Sequence, residues 1–478
     1  MEETSGSKKL QYGDIVELTI ESTGSEGKSI ARLDGLVVFV EGAVAGDVVK
    51  AKIGKSKKKF AEAKVVEVIK PSPQRIEPHC KYFGTCGGCK WQHVEYNAQL
   101  AFKHQQVVDA LERIGGFKGL NILPIVGSED VFYYRNKLEF SFSEKPWLTE
   151  KDMELHKEEN VPNLALGFHV PQRWDKVLDI DECFLQSELS TGILNAVRKF
   201  ALDNKIPAFE PETETGYFRN LVIREGKNSG DVMVNIVSFE DSPEVMEKLS
   251  AELQKQFPEI TTIINNVTKR KSQVAVGEYE KVYYGTGIIH DKLGRYNFQI
   301  SANSFFQTNT KQAEKLYSIA KEFAELKPTD VVYDLYCGTG SIGIYISDSV
   351  QQVVGIELVE SSIQNAKKNA DLNGIENCEF IAGDLKDRLT KDVAWKEQFA
   401  HPNVIIVDPP RSGMHPKAVE ELGKMQVPTI VYVSCNPATL ARDLQLLSPF
   451  GYVIEKVQPV DMFPHTYHIE CVAKVVLK

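Results

Sequence analysis

The sequence has no apolar run near the roughly 18 residues that a membrane-spanning helix needs. Its first residues are acidic and polar, so they lack the basic start and apolar middle of a secretory signal. No internal repeat or low-complexity tract interrupts the 478 residues, and 42% hydrophobic with 26% charged residues is an ordinary globular composition. These absences argue against fibrous, disordered and membrane-bound classes. They predict a cytoplasmic protein with two or three domains and no membrane partner.

An excess of positive charge is also missing, because 56 Lys and Arg face 66 Asp and Glu, for a net charge of −10. This balance excludes a uniformly basic coat for nucleic acid, although an average can hide a local patch. Residues 50–59 contain six lysines and no acid. A solvated hairpin is the ordinary explanation of such a run, and a nucleic-acid contact is the alternative.

Three of the eight cysteines lie within ten residues, as Cys80-x5-Cys86-x2-Cys89, and Cys183 follows far downstream. Cytoplasmic thiols stay reduced, so these clustered cysteines indicate metal binding rather than disulfides. Four thiolates suit either tetrahedral zinc or an iron–sulfur cluster. Zinc ligands more often come as two C-x2-C pairs, so three local ligands and one remote ligand favour a structural iron–sulfur cluster.

The pattern of apolar residues predicts three domains with different architectures. Residues 1–70 alternate apolar and polar positions between glycines, which predicts a small antiparallel β-barrel that ends at a linker, Pro71-Ser-Pro73. Residues 71–300 mix helices and strands, an α+β pattern, and include a helix over 95–114. Residues 301–478 alternate strand and helix, which predicts an α/β domain with a doubly wound parallel sheet, Rossmann-like in its connections. Ligands of such sheets bind at the carboxyl ends of the strands.

A glycine-rich loop, Asp334-Leu-Tyr-Cys-Gly-Thr-Gly340, follows the first strand of that sheet, and Glu357 ends the second strand. This pattern is typical of a nucleotide-type cofactor, since glycines allow close backbone approach and the acid can bind ribose hydroxyls. The spacing alone does not separate a dinucleotide from S-adenosylmethionine. Asp334 precedes the glycines and Asp408-Pro-Pro-Arg ends a later strand, which favours S-adenosylmethionine because a carboxylate there would repel a pyrophosphate.

Cys435, within Ser434-Cys-Asn-Pro437, ends a strand at the predicted ligand-binding edge, where a thiolate is a good nucleophile. A lone cysteine is more often a buried apolar filler, which is the competing interpretation. Glu470, in His468-Ile-Glu470, is of interest only as a base beside Cys435. Phe305 and Phe306, before Gln307, either stack on a base or belong to the core, and the core is the more common role.

These motifs, in this order, resemble the RNA 5-methyluridine methyltransferases, and most closely the 23S ribosomal RNA (uracil-5-)-methyltransferases that carry a TRAM barrel and a 4Fe–4S cluster. The resemblance covers nearly the whole chain and implies a C-terminal class I S-adenosylmethionine-dependent methyltransferase domain. It also implies that Cys435 adds to C6 of uracil and that Glu470 removes the C5 proton.

The same resemblance assigns the remaining candidate residues. It implies a methyl donor held by Gln307, Tyr336, Gly338, Glu357, Asp384 and Asp408. It implies a cluster held by Cys80, Cys86, Cys89 and Cys183. It implies that Phe305 stacks on the flipped base, that the barrel binds RNA, and that the enzyme is a monomer whose partner is 23S ribosomal RNA. Within the barrel, Lys57, Lys58 and Lys59 are the candidate RNA contacts, and Arg135, in the stretch Tyr134-Arg-Asn-Lys137, is a candidate for a second phosphate contact.

Three alternatives stay open on the sequence. The nearest is the same chemistry on transfer RNA, whose relatives generally lack both the barrel and the cluster cysteines. The second is a dinucleotide-dependent iron–sulfur oxidoreductase, which would bind NAD in place of S-adenosylhomocysteine. The third is a non-catalytic RNA-binding protein that has kept the fold.

Overall fold

The computed structural model describes residues 10–148, 153, 164–271, 275–390 and 398–478. The charged segment at 150–160, which the sequence suggests as a surface loop, lies outside the described residues apart from Met153. The described chain forms a closed barrel, two seven-stranded sheets and a two-stranded hairpin. No helix in these ranges is both long and apolar enough to cross a membrane.

The amino-terminal barrel closes in the strand order β1-β2-β3-β5-β4. Its interior is apolar because alternate residues of each strand, such as Leu18 and Ile20 of β1, point inward and are buried. The barrel is not wholly antiparallel as the sequence predicts, since β3 and β5 pair in parallel and thereby close it. Its strands are β1 (Ile15–Thr23), β2 (Ser29–Leu33), β3 (Leu36–Glu41), β4 (Val48–Ser56) and β5 (Phe60–Lys70).

The segment that follows the barrel is held against it rather than free. Asp47 is fully buried and accepts hydrogen bonds from Ser72 N (2.8 Å) and from the Arg75 guanidinium (2.6 Å). Burial acts against its carboxylate, but Arg75 and the backbone donors outweigh this and lower the pKa of Asp47. The predicted linker at residues 71–73 is therefore an anchored connection.

The central part contains a mixed seven-stranded sheet in the order β12-β11-β10-β9-β6-β7-β8, covered by two helices whose apolar faces pack on one side. Among the strands that the structure describes in this sheet, only β10 and β11 pair in parallel. The elements are β6 (Lys137–Ser143), β7 (Ala165–Val170), β8 (Arg173–Asp179), α2 (Glu188–Asp203), β9 (Phe218–Glu225), β10 (Val232–Ser238), α3 (Pro243–Gln256), β11 (Thr262–Val267) and β12 (Tyr279–Tyr284).

The carboxyl-terminal sheet has the order β17-β16-β15-β18-β19-β21-β20, with β21 antiparallel to both of its neighbours. The hairpin β13 (Ile288–Leu293) and β14 (Tyr296–Ser301) precedes it. Its elements are α4 (Thr310–Ala324), β15 (Val331–Leu335), α5 (Ser341–Ile346), β16 (Gln352–Glu357), α6 (Glu360–Leu372), β17 (Cys378–Ala382), α7 (Leu385–Thr390), β18 (Val404–Val407), α8 (Pro416–Lys424), β19 (Thr429–Ser434), α9 (Pro437–Leu447), β20 (Tyr452–Val460) and β21 (Glu470–Leu477).

The first helix, α1 (Tyr96–Arg113), matches the predicted helix to within one residue at each end. It packs on the carboxyl-terminal sheet, where Val107 and Leu111 are buried in the same core as α9 and β20. Each such side chain contributes about 1.5–3 kcal/mol of burial. The chain after α1 continues this contact, since Leu123 N donates to Val457 O of β20 (2.8 Å). Residues 96–126 thus pack with the carboxyl-terminal sheet, although they precede the central sheet in sequence.

Candidate active site

The glycine-rich loop after β15 makes a tight turn. Tyr336, Gly338 and Gly340 all have positive φ angles, of 65°, 54° and 76°. A Cβ at position 340 would lie 2.8 Å from the Phe380 ring, so glycine is required there for packing as well as for conformation. The turn lies at the carboxyl end of β15, the edge at which ligands of such sheets bind.

Two carboxylates border this loop. Asp334 Oδ2 accepts the Gly343 N–H (2.9 Å), whereas its buried Oδ1 has no hydrogen-bond partner among the described residues. Burial raises the pKa of Asp334 to about 7. Glu357, at the end of β16, accepts hydrogen bonds from Gly338 N (3.2 Å) and Val359 N (2.9 Å). A buried, half-satisfied carboxylate suits the cationic end of a ligand, so this side of the site fits S-adenosylmethionine.

The Ser434-Cys-Asn-Pro437 motif is the junction between β19 and α9. Asn436 caps the helix by accepting the Ala438 N–H (3.1 Å), and Pro437 occupies the first helical position, where its missing N–H does no harm. The Asn436 side chain also donates to Arg411 O (3.1 Å), which ties this turn to the Asp408-Pro-Pro-Arg411 loop. The motif therefore fixes Cys435 at the carboxyl end of β19.

The pairing of β19 with β21 brings Cys435 and Glu470 together. Ser434 lies opposite Cys471 in this antiparallel pair, so the next register position sets Cys435 beside Glu470. Burial, with the charges of Glu470 and Asp408, raises the pKa of Cys435 to about 11, while Arg411 acts in the opposite direction. Burial and the nearby Asp408 raise the pKa of Glu470 well above its usual range.

Asp408 follows β18, the strand between β15 and β19, at the same edge of the sheet. Removal from solvent raises its pKa to about 7. Tyr336, Gly338, Glu357, Asp384 and Asp408 all lie at the ends of, or just after, adjacent parallel strands, so the fold gathers these candidates at one edge of the sheet. Asp384 is the exposed member of the set and accepts a hydrogen bond from Asp387 N (3.3 Å).

The Phe305-Phe-Gln307 segment contacts the glycine loop at the carboxyl-terminal edge of the sheet. Phe306 is buried in the core, whereas Phe305 is 63% exposed, so the two rings have different environments. Thr339 of the glycine loop donates to Phe305 O (3.4 Å), and Asn136 donates to Gln307 O (2.8 Å). The exposed Phe305 ring is free to stack on a ligand.

A cleft of about 910 Å³ opens at Cys435. One wall carries Cys435, Asn436, Arg411 and His468, and the opposite walls come from α1 and from strands β1 to β3 of the barrel. Burial, with nearby positive charges, lowers the pKa of His468 to about 4, so His468 is neutral at physiological pH. Sequence reasoning missed the part that α1 takes in this cleft, because an amphipathic pattern does not identify the surface on which a helix packs.

The predicted basic contacts lie in two separate places. Lys57, Lys58 and Lys59 are exposed at the tip of the β4–β5 hairpin and do not line the cleft. Arg135 is partly buried and lines a second cavity, which the four candidate ligand cysteines and Thr308 also line. Tyr134 and Asn136 on either side are buried, so the stretch 134–137 that the sequence suggested as a phosphate contact is mostly internal.

The four candidate ligand cysteines line a single cavity of about 320 Å³ in the central part of the molecule, together with Arg135 and Lys137. Burial raises the pKa of all four thiols, to about 12 for Cys89 and about 11 for Cys183. Among the described residues, no group of three or more His, Cys, Asp or Glu side chains is placed to hold one metal ion. The fold therefore gathers the four cysteines around one space, but not at the spacing of a single-ion site.

The strand order, the glycine loop and the row of carboxylates at the strand ends define a class I S-adenosylmethionine-dependent methyltransferase fold. Comparison with known proteins makes the relationship more specific. Residues 228–478 match the family described as tRNA (Uracil-5-)-methyltransferase, and residues 9–66 match the TRAM domain. The chain belongs to the tRNA (uracil-5-)-methyltransferase family and is a methyltransferase.

Full-length relatives support this assignment. A Chlorobaculum tepidum protein described as an uncharacterized RNA methyltransferase is 45% identical over 97% of both chains. A Porphyromonas gingivalis protein with the same description is 43% identical over 96% of this chain and 99% of its own. Among solved structures, the Pyrococcus abyssi tRNA (uracil-54, C5)-methyltransferase in complex with S-adenosyl-L-homocysteine aligns with a TM-score of 0.73 and 29% identity. That alignment covers 96% of this chain and 99% of that one.

Proposed function

We propose that this protein transfers the methyl group of S-adenosylmethionine to C5 of a uridine in 23S ribosomal RNA. The observation that carries the reaction is the adjacent placement of Cys435 and Glu470, at the strand edge where the candidate cofactor residues gather. Ribosomal RNA as the substrate rests on the resemblance of the sequence motifs. Uracil C5 is too weak a nucleophile to take the methyl group directly. A thiol and a carboxylate beside one base supply the activation that it lacks.

The chemistry divides between the two residues. The Cys435 thiolate forms a bond to C6 of uracil, which makes C5 an enolate-like carbon. Bound S-adenosylmethionine supplies the methyl group that C5 takes. Glu470 then accepts the C5 proton, the electrons of the C5–H bond restore the C5–C6 double bond, and the C6–S bond breaks to release the thiolate. The Arg411 charge favours the Cys435 thiolate, against the burial that opposes it.

The raised pKa values of the carboxyl groups at this edge of the sheet are consistent with a cationic ligand. Asp334 and Asp408 have pKa values raised to about 7 by burial, and Glu470 is raised further. A sulfonium ion beside these groups favours their charged forms, and Glu470 must be charged to accept a proton. We infer that Asp408 and Asp334 are the carboxylates whose protonation changes most when the methyl donor binds.

The base must leave its helix to reach Cys435, since the thiol lies within the cleft. Phe305 supports this step as an exposed aromatic ring that can stack on the extruded base. We assign the lysines at 57–59 to the phosphate backbone, since their exposure on the barrel hairpin suits a contact away from the base pocket.

The four cysteines suit a 4Fe–4S cluster better than a zinc ion. All four line one cavity of about 320 Å³, which has room for a group larger than a single metal ion. Arg135 and Lys137 supply positive charge at the cavity, and Arg135 acts to lower the pKa of the Cys183 thiol. Visible absorption with iron and zinc analysis after anaerobic purification tests this: a brown, iron-containing protein is expected, and a colourless zinc protein would overturn it.

Transfer RNA is the second candidate substrate, and a specific observation favours it. The Pyrococcus abyssi transfer-RNA enzyme aligns over 96% of this chain, so the presence of the barrel does not separate the two substrates. Mass mapping of both RNA classes from a deletion strain decides between them. We expect loss of 5-methyluridine at one or more positions of 23S ribosomal RNA and its return with the wild-type gene but not with Cys435→Ala. Loss in transfer RNA alone would replace ribosomal RNA as the substrate.

A further inference from the structure

The connection that carries Glu470 into the active site, residues 461–469 between β20 and β21, is held by buried groups of another part of the chain. Asp461 and Lys103 of α1 are both completely buried and form an ion pair with an N–O distance of 2.6 Å. Tyr96 donates to the other oxygen of Asp461 (2.9 Å), and Lys103 also donates to Phe463 O (3.0 Å). The start of the connection is therefore fixed to α1.

The middle of the connection is fixed by Gln99, which is fully buried on the same helix. Gln99 Oε1 accepts the His465 N–H (2.9 Å), and Gln99 Nε2 lies 3.2 Å from His465 Nδ1. The same Nε2 donates to Trp91 O (3.0 Å) and Val94 O (2.9 Å). His465 has a left-handed backbone, with φ of 64°, which depends on such contacts for support.

The third set of contacts connects this region to the cysteine cavity. The backbone N–H groups of Lys90 and Trp91 both donate to His465 O, at 2.8 and 3.0 Å. Cys89, which lines the cavity, directly precedes them in sequence, and Gln92 Nε2 lies 3.3 Å from Cys89 Sγ. Residues 89–92 therefore border the cysteine cavity on one side and hold the 461–469 connection on the other.

We propose that Gln99, Lys103 and residues 89–92 form a clamp that positions Glu470 for removal of the C5 proton, and that filling of the cysteine cavity tightens this clamp. The inference rests on the proposed function of Glu470. Gln99 and Lys103 are positioning residues, since they act through their contacts with residues 461–469 and do not line the cleft at Cys435. A buried network of this kind has few alternative arrangements, so a shift at one end is transmitted to the other.

The first test separates proton removal from the steps that precede it. In Gln99→Leu, we expect turnover to fall about tenfold to hundredfold, as small displacements of catalytic groups do. The fraction of RNA covalently held on the protein should rise, as it should in Glu470→Gln, while the RNA dissociation constant changes less than about twofold. Steady-state samples on denaturing gels and filter binding measure these quantities.

The matched control is Asn265→Leu, which also removes a fully buried amide, here hydrogen-bonded to Ile236 O (3.0 Å) in the central sheet. This variant should lose thermal stability without accumulating the adduct. The clamp is contradicted if Gln99→Leu loses turnover without a rise in adduct, or if Asn265→Leu accumulates adduct to the same extent.

Hydrogen exchange gives a readout that does not require the proposed reaction. In RNA-free protein, amides of 461–469 should exchange at least about tenfold faster in Gln99→Leu than in the wild type, since the His465 N–H has no acceptor in that variant. Treatment of the wild-type protein with an iron chelator should likewise make the amides of residues 461–469 exchange faster. Unchanged exchange after chelation would overturn the connection to the cysteine cavity. If Glu470→Gln forms no adduct but this exchange pattern is observed, the proposed function and the catalytic purpose of the clamp fail, whereas the structural connection between the cysteine cavity and residues 461–469 stands.

Discussion

At the scale of single residues, the proposed reaction depends on Cys435 as a nucleophile. We expect Cys435→Ala to lower methylation at least ~10³-fold, because no other thiol among the described residues lines the cleft. Cys435 is only partly buried and serves in no helix cap among the described residues, so the melting temperature should change little. Initial rates with tritiated methyl donor and calorimetric melting measure the two effects. A variant that retains more than about a tenth of the wild-type rate would contradict the role.

Asp408 makes the affinity for the methyl donor depend on pH. Its pKa is raised to about 7 by burial, so it is mainly protonated below that pH in the free protein. A sulfonium favours the carboxylate, and binding should therefore release a proton and strengthen as the pH rises from about 6 to 7, by up to about tenfold per pH unit. S-adenosylhomocysteine, which has no sulfonium charge, should show a weaker dependence. Titration calorimetry at about pH 6, 7 and 8 compares the two ligands, and equal slopes would contradict the assignment.

At the scale of elements, the barrel is docked through a buried ion pair. Arg75→Met leaves Asp47 buried without its cationic partner, which should weaken docking by about 3–5 kcal/mol. We expect faster proteolysis near residues 71–73 and weaker RNA binding, with the affinity for S-adenosylhomocysteine unchanged. Unchanged proteolysis would show that the ion pair does not hold the barrel.

The same ion pair makes barrel docking depend on pH. Because the pKa of Asp47 is lowered, the stability that its carboxylate contributes is present near neutral pH and is lost as the pH falls below about 4.

The β4–β5 hairpin should contribute to RNA affinity through charge alone. Replacing Lys57, Lys58 and Lys59 with alanine should weaken binding at low salt. It should also reduce the slope of log K against log salt by about 0.7–0.9 for each phosphate that the variant no longer neutralises. The maximal rate at saturating RNA should not change. A control that removes the exposed Lys417 and Lys424 of α8 should leave the slope as it is. If the two sets of substitutions changed the salt dependence of RNA binding equally, the hairpin would be a solvated surface with no specific RNA contact.

The local elements of the methyltransferase domain follow well from the sequence. The strand–helix alternation predicts parallel strands at 330–335, 352–357, 377–382, 403–407 and 429–434, and each agrees with the observed strand to within one residue at either end. The agreement is close because buried strands and capped helices have strong local signals. The same alternation predicts a helix over 312–325, whereas the observed helix α4 begins two residues earlier, at Thr310, because Asn309 caps it. Asn309 also donates to Met462 O (3.0 Å). That second contact is with a residue distant in sequence, which no local pattern reveals.

At the scale of the whole molecule, the features that the sequence does not predict are mostly long-range. The parallel β3–β5 pair closes the barrel, and no local pattern distinguishes it from an antiparallel one. The packing of α1 on the carboxyl-terminal sheet, and its contacts with 461–469, join residues as far apart in sequence as Lys103 and Asp461. The candidate site was therefore predictable as a set of motifs, whereas the cleft and the clamp depend on how three parts of the chain pack together.

The central claim is that Cys435 bonds to the target uridine, and RNA that carries 5-fluorouridine at the mapped target position tests it most directly. Fluorine cannot leave C5 as a proton does, so the methylated adduct should persist after denaturation. Mass spectrometry of the tryptic peptide 425–442, whose one cysteine is Cys435, should then show the modified nucleotide on that residue. Efficient methylation of ordinary RNA together with no adduct on this peptide would contradict the covalent mechanism.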